Sequence, residues 1–251
     1  MELELKKECL DTYELGEPQT LTQEETAETI VPDYCPDIAR IISAEGVVCL
    51  HGGTEQDGVT GTVRVTVLYT PENESGVRAL EFAMPFSAQG EGLAGCAHVV
   101  VETEIELLES RMLNPRKIFT RCKLVTHLAG CRKVCLTISS DAETDPALLV
   151  EKRCCGQTVS LLRQVAEKDL TFSETMSLSL GREGAAELLH CRANGIVTET
   201  KAIGNKLIFK GVFLVSALYR TTGGQLASAS AELPFSQIME TDSTEENTQV
   251  S

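Results

Sequence analysis

Thr60-Gly-Thr-Val-Arg-Val-Thr-Val-Leu-Tyr69 puts Val63, Val65 and Val67 on one side of an extended chain, with Thr62, Arg64 and Thr66 on the other. Strict alternation of this kind marks a β-strand with one buried face. The stretch returns later in the chain. Gly61-x6-Leu68-Tyr69 matches Gly211-x6-Leu218-Tyr219 at an offset of 150. Pro85-Phe86-Ser87 matches Pro234-Phe235-Ser236 at 149, and Gly46-Val47-Val48 matches Gly195-Ile196-Val197, also at 149. Three anchors in one order at a nearly constant offset define an internal repeat. Tyr69, Tyr219, Phe86 and Phe235 are then expected to pack at equivalent positions of two copies.

Outward from this strand the pattern stays extended. His98-Val-Val-Val-Glu-Thr-Glu-Ile-Glu-Leu-Leu108 is β-branched and alternating, residues 117–128 and 133–139 read as two more strands, and Lys206-Leu-Ile-Phe-Lys-Gly-Val-Phe-Leu-Val-Ser-Ala-Leu-Tyr219 as another. Turn residues separate them at Asp57-Gly58, Gly204-Asn205 and Gly223-Gly224. The expected fold is all-β: tandem sandwich-like or barrel-like modules with few short helices. The first module spans 1–145 and the second 146–251. Short helices are expected over 23–30, capped by Thr22, and over 37–44, following Pro36. Residues 150–167 fit a helix or a strand. The second copy reaches Pro234-Phe235 and a polar stretch without the counterpart of the Val99 strand, so either a partner supplies the missing strands or, the favoured expectation, the sequence is a fragment or a shortened frame with its second module incomplete.

Composition narrows the function. The chain carries 22 basic and 37 acidic residues, a net charge of −15. Phosphate-contacting nucleic-acid binders need the opposite sign, and so does attraction to anionic membranes. No apolar run is long enough for a membrane helix, and no secretory leader is readable. Ten cysteines in such a chain point to buried thiols in a reducing compartment. Aromatic residues are 4% and Trp is absent, which leaves little for stacking sugars or bases.

Motifs for bond chemistry are missing. No phosphate-cradling glycine motif, Gly-x-Ser-x-Gly elbow or Cys-x2-Cys pair occurs. His127, Cys131 and Cys135 share the face of a strand but span about 26 Å at roughly 3.3 Å per residue, too far for one ion unless the strand breaks at Gly130. Adjacent Cys154 and Cys155 are expected to alternate in and out along a strand. No catalytic residue, cofactor or metal site is assigned, and the chain is expected not to be an enzyme.

Two segments are more specific. Asp33-Tyr-Cys-Pro-Asp-Ile-Ala-Arg-Ile-Ile42 joins a Pro-flanked turn to an apolar stretch, and Leu113-Asn-Pro-Arg-Lys-Ile118 joins a turn to a strand. Asn114 suits the start of that turn and Pro115 fixes it. Arg116 and Lys117 read either as basic guards of a strand edge or, with Asn114, as a partner-docking corner.

Residues 36–42, the strand from Gly61 to Tyr69, Pro85-Phe86, residues 113–118 and Leu233-Pro-Phe-Ser-Gln-Ile238 together resemble the SPOCS domain family. These are tandem β-modules of endospore-forming bacteria, typified by the spore morphogenetic protein SipL. The resemblance implies a non-catalytic, protein-interacting role in assembling the spore coat or envelope, in the mother-cell cytoplasm or at the forespore surface. It implies a protein partner, the morphogenetic ATPase of the coat. The typical member makes that contact through a LysM domain, for which this sequence has no similar segment. Self-association through unpaired strands is also expected. The competing expectation is a carbohydrate-binding β-sandwich at the cell wall.

Overall fold

A computed structural model describes residues 4–51, 58–143, 151, 153, 156, 158–167, 171, 173 and 183–241. Among the described residues, ten strands form three antiparallel sheets. They are β1 (Glu4–Leu15), β2 (Gln19–Ile30), β3 (Ile38–His51), β4 (Gly58–Pro71), β5 (Arg78–Gln89), β6 (His98–Asn114), β7 (Lys117–Glu143), β8 (Ala185–Ile203), β9 (Lys206–Thr221) and β10 (Leu226–Glu240). The described residues contain no helix, so the all-β expectation holds and its few helices do not.

The long strand β7 organises the first sheet. β1 and β2 run end to end along one of its edges and β6 lies along the other, so that Cys131 is paired with both Leu15 and His98. The two strands expected over 117–128 and 133–139 are this single strand, unbroken at Gly130. The second sheet is β3-β4-β5. β3 lies against β6 and β5 against β2, which closes the two sheets into a sandwich. Between them Val63, Val65, Val67 and Tyr69 of β4 and Met84 and Phe86 of β5 pack on Ile118, Cys122 and Leu124 of β7. The alternation that opened the sequence is therefore the core face.

Both expected helices are strands, for different reasons. In β3 the core residues Ile38, Ile41, Ala44 and Val48 are spaced by three and four. Bulges between Ile38 and Arg40 and between Ile41 and Ser43 each insert one residue, which converts a period of two into one that mimics a helix turn. In β2 alternate residues do turn inward, but they include Gln19, Gln23, Glu25 and Thr29. Pairing with β7 decides the conformation there, not a hydrophobic pattern.

The third sheet, β8-β9-β10, repeats the second. Gly61 faces Phe86 across β4 and β5, and Gly211 faces Phe235 across β9 and β10. In both copies the ring lies over the glycine: an added Cβ would come within 2.5 Å of the ring's Cζ at Gly61 and again at Gly211. Tyr69 and Tyr219 are both buried. The two bulges of β3 recur in β8, between Ala185 and Glu187 and between Leu188 and His190. One anchor shifts. Gly46 pairs with Val65, but Gly195 pairs with Phe213 and not with Val215, so the glycines stand two residues apart in the superposed ladders. A shift of two keeps every side chain on its own face. Gly46 makes room for Ile105 and Leu108 of β6, whereas Gly195 makes room for the Phe213 ring.

Polar contacts join the copies. Glu187 accepts from Arg220 (2.7 Å) and from Arg78 of the first copy (3.4 Å), and His190 meets Glu45 at 3.2 Å. Residues 158–167 form no regular element. They reach the outer edge of β1, where the Leu162 carbonyl accepts from the Tyr13 amide (2.8 Å) and the Thr12 hydroxyl (3.0 Å). Cys154 and Cys155 lie outside the described residues.

A candidate interaction corner

The two segments that the sequence marks as specific lie some eighty positions apart and meet in space. Asn114 closes the β6–β7 turn by accepting the Arg116 amide on Oδ1 (2.9 Å). The Pro115 and Arg116 carbonyls then accept the Ile38 and Val31 amides, both at 2.9 Å. The turn is thus stitched to both ends of the β2–β3 loop.

The Arg116 guanidinium fills that loop. Nη1 donates to the Cys35 carbonyl (2.8 Å) and Asp37 Oδ1 (3.0 Å), and Nη2 to the Val31 carbonyl (2.8 Å) and Asp33 Oδ1 (3.1 Å). A planar fork of five donors suits two carbonyls and two carboxylates better than any other side chain. The Cys35 amide donates to the Pro32 carbonyl (2.9 Å), tightening the turn further. From below, the buried Tyr69 hydroxyl donates to the Pro36 carbonyl at 3.4 Å. Burial, and secondarily Cys35 beside it, push the Tyr69 phenol up to about 12. Tyr34 stands at the crest of this pinned loop, 87% exposed, next to an open Asp33.

Of the three residues expected at a docking corner, then, Asn114 and Arg116 shape the loop and Lys117 is ion-paired with Glu28 across β2. The group they present is Tyr34, which no pattern in the sequence singles out. Arg116→Ala should lower stability by about 2 kcal/mol, since it strips donors from two carbonyls while its ion pairs sit at a partly exposed site and add little. Urea denaturation measures this, and a loss below about 0.5 kcal/mol would mean the clamp is ornamental.

The other candidates stay apart. Because β7 is unbroken, His127, Cys131 and Cys135 remain spread along it. His127 meets the Thr20 hydroxyl at 3.0 Å, and Cys135 is disulfide-bonded to Cys9 of β1, with Cα atoms 5.6 Å apart. That bond is a departure from the free thiols expected. Burial raises the Cys122 thiol to about 11. A pocket of about 330 Å³ beside Gly130 holds Glu14, Glu17, Cys96 and Arg132, but Arg132 donates to the Gly92 carbonyl (2.7 Å), so its charge goes to the neighbouring loop. No helix among the described residues is long and apolar enough to cross a membrane, which does not bear on crossing by strands.

Fold and corner define a class: a repeated antiparallel β-module that presents a pinned loop. Residues 185–251, which contain β8 to β10, match the family model described as SipL, SPOCS domain, a sporulation-related family and the one the sequence resembles. No curated protein and no solved structure matches the chain.

Proposed function

We propose that the chain is a non-catalytic structural and protein-interaction module in assembly of the spore coat or envelope, and that it binds a protein partner through the Tyr34 corner. The observation that carries this is the Arg116 clamp. Four hydrogen bonds hold the loop that carries the exposed Tyr34 in place before any partner arrives, so little backbone ordering entropy is left to lose on binding. Tyrosine is among the residues most enriched at binding hot spots. His51 and His127 meet the Thr62 and Thr20 hydroxyls, His98 packs near Tyr13, and His190 lies 3.2 Å from Glu45.

The same exposed ring favours one alternative, a sugar stacked on Tyr34 at the cell wall. Binding experiments separate the two. Purified coat morphogenetic ATPase and purified peptidoglycan are each offered to the wild-type chain and to Tyr34→Ala. The protein-module reading expects the ATPase to be retained, with a loss of at least about tenfold on removing a hot-spot ring, and peptidoglycan to pass through. Retention of peptidoglycan that depends on Tyr34 overturns it in favour of the carbohydrate reading. Retention of neither, or ATPase binding indifferent to Tyr34, removes the corner from the proposal.

A further inference from the structure

Past Cys131 the long strand β7 has a neighbour on one side only. β6 pairs with β7 as far as His98 opposite Cys131, whereas β1 continues along the other edge to Glu143. Among the described residues, no strand lies along the far edge of residues 133–139. β1 and this half of β7 thus form a two-stranded ribbon, fastened by the Cys9–Cys135 disulfide. Lys133, Cys135, Leu136, Thr137, Ile138 and Ser139 are exposed and Val134 is half-buried. A ribbon of two strands is marginal in water without a third.

The hydrogen bonds at the start of the ribbon fix which backbone groups face its open edge. The Cys131 carbonyl accepts the Ala97 amide on the β6 side, and the Gly130 carbonyl accepts the Gly16 amide on the β1 side, both at 2.8 Å. Alternation along the strand then turns the N–H and C=O of Lys133, Cys135, Thr137 and Ser139 outward, and those of Val134, Leu136 and Ile138 toward β1. The register with β1 is unbroken from Cys131 to Ser139, and a bulge at Ser140 ends it. Every other outermost strand carries a guard against pairing: Pro85 in β5, Pro234 in β10, bulges in β3, β6 and β8, and runs of charge in β1 and β2. Val134-Cys-Leu-Thr-Ile-Ser139 has none of these, and its β-branched and apolar content suits strand pairing.

From this edge we infer that two copies of the chain pair β7 against β7, antiparallel and centred on Leu136, in a sheet that runs β1–β7–β7–β1 across a two-fold axis. The edge is its own complement, as a two-fold contact requires. Lys133 meets Ser139 of the second copy and Cys135 meets Thr137. Each of these outward pairs exchanges two hydrogen bonds, so the seam holds about eight. Leu136 faces its own copy, and Val134 faces Ile138, in the pairs without hydrogen bonds, where side chains come closest. The length fits as well. Opposite Lys133 the incoming strand has reached Ser139, and its bulge at Ser140 bends it away before it meets Ala97 and His98 at the start of β6. Charge favours the same meeting. The chain carries −15, but over residues 5–13 and 133–140 Lys6, Lys7 and Lys133 outnumber Glu8 and Asp11, so the acidic excess lies elsewhere. The two Lys133 side chains stand about 20 Å apart along the seam, beyond a screening length of about 8 Å at physiological salt. A seam about 23 Å long and about 10 Å deep buries about 500 Å² in all, below the 1,200–2,000 Å² of stable complexes, which makes the dimer a weak one. This contact goes beyond the Tyr34 corner and does not depend on it.

Sedimentation velocity on the full chain should show a monomer at micromolar concentration and a growing dimer toward millimolar. Over the same range, hydrogen exchange should show the Cys135, Thr137 and Ser139 amides passing from free exchange to protection, while those of Val134, Leu136 and Ile138, which point to β1, are protected throughout. Thr137→Pro removes one outward N–H per copy and none that serves β1. It should weaken the dimer at least about tenfold, with the strand signal in circular dichroism unchanged. Should that variant fail to fold, Thr137→Lys, which sets a charge into the seam, should weaken the dimer as much. Tyr34→Ala should associate as the wild type does. A wild-type chain that stays monomeric up to millimolar concentration overturns the inference. So does a dimer that survives either Thr137 variant in folded form, or one that leaves the three outward amides unprotected. A dimer lost in Tyr34→Ala overturns it too and places the contact at the corner.

Discussion

Phe86→Ala should cost about 4 kcal/mol of folding stability, and the same change at its counterpart Phe235 only about 1–2 kcal/mol. Phe86 is 5% exposed and its ring lies over Gly61, between the sheets. Cutting it to a methyl removes the apolar area, leaves a cavity that Met84 and Leu124 are too well packed to fill, and uncovers a strand glycine that the ring shields. Phe235 lies over Gly211 in the same register, but with no second sheet above it among the described residues. Its truncation loses area and not an enclosed volume. Urea denaturation of both variants at low protein concentration reads the difference, free of association. Equal losses would mean that β8–β10 is covered as thoroughly as β3–β5.

The comparison also explains what could be read in advance. The strands of the repeat were legible because β4 alternates cleanly and its Gly, Leu-Tyr and Pro-Phe-Ser anchors return in β9 and β10 at a nearly constant offset. β2 and β3 were not. A local pattern cannot reveal a bulge, so Ile38, Ile41 and Ala44 read as a helix face until pairing with β4 is known. Nor can it reveal that Gln23 and Glu25 of β2 turn inward because β7 demands a partner edge. Gly130 looked like a break, yet β6 holds one side of it through Val99. The docking corner was half legible. Both of its segments stood out by their Pro, Asn and Arg content, and Asn114 took the role its chemistry suggests. That Arg116 spans from one segment to the other, and that Tyr34 is what it lifts into solvent, are consequences of tertiary contact between chain positions some eighty residues apart.

Alkaline pH should destabilise the first module more steeply than its surface charges account for. In the native state burial raises the Tyr69 phenol from 10.0 to about 12, and burial, with Glu25 secondarily, raises the Cys122 thiol from 9.0 to about 11. Both groups are acids whose protons are held more tightly by the folded chain. Above pH 9 for Cys122, and above pH 10 for Tyr69, the unfolded chain gives up a proton that the native one keeps. The unfolded state then binds fewer protons, and stability falls as pH rises. The contribution is fully present below pH 9. A gap of about two units is worth about 2–3 kcal/mol per group, so the two together remove about 3–4 kcal/mol by pH 11. Lysine deprotonation adds a background common to all variants, so the informative quantity is the difference from wild type. Urea midpoints between pH 8 and 11 should fall less steeply in Cys122→Ala from pH 9, and in Tyr69→Phe from pH 10. Short incubations keep thiolate attack on the Cys9–Cys135 disulfide out of the measurement. Tyr69→Phe also frees the Pro36 carbonyl, so it should start less stable at pH 8 and converge on wild type as pH rises. Parallel pH profiles for all three chains would show that neither proton is held in the folded state, and would remove the buried phenol from beneath the Tyr34 loop as a source of its rigidity.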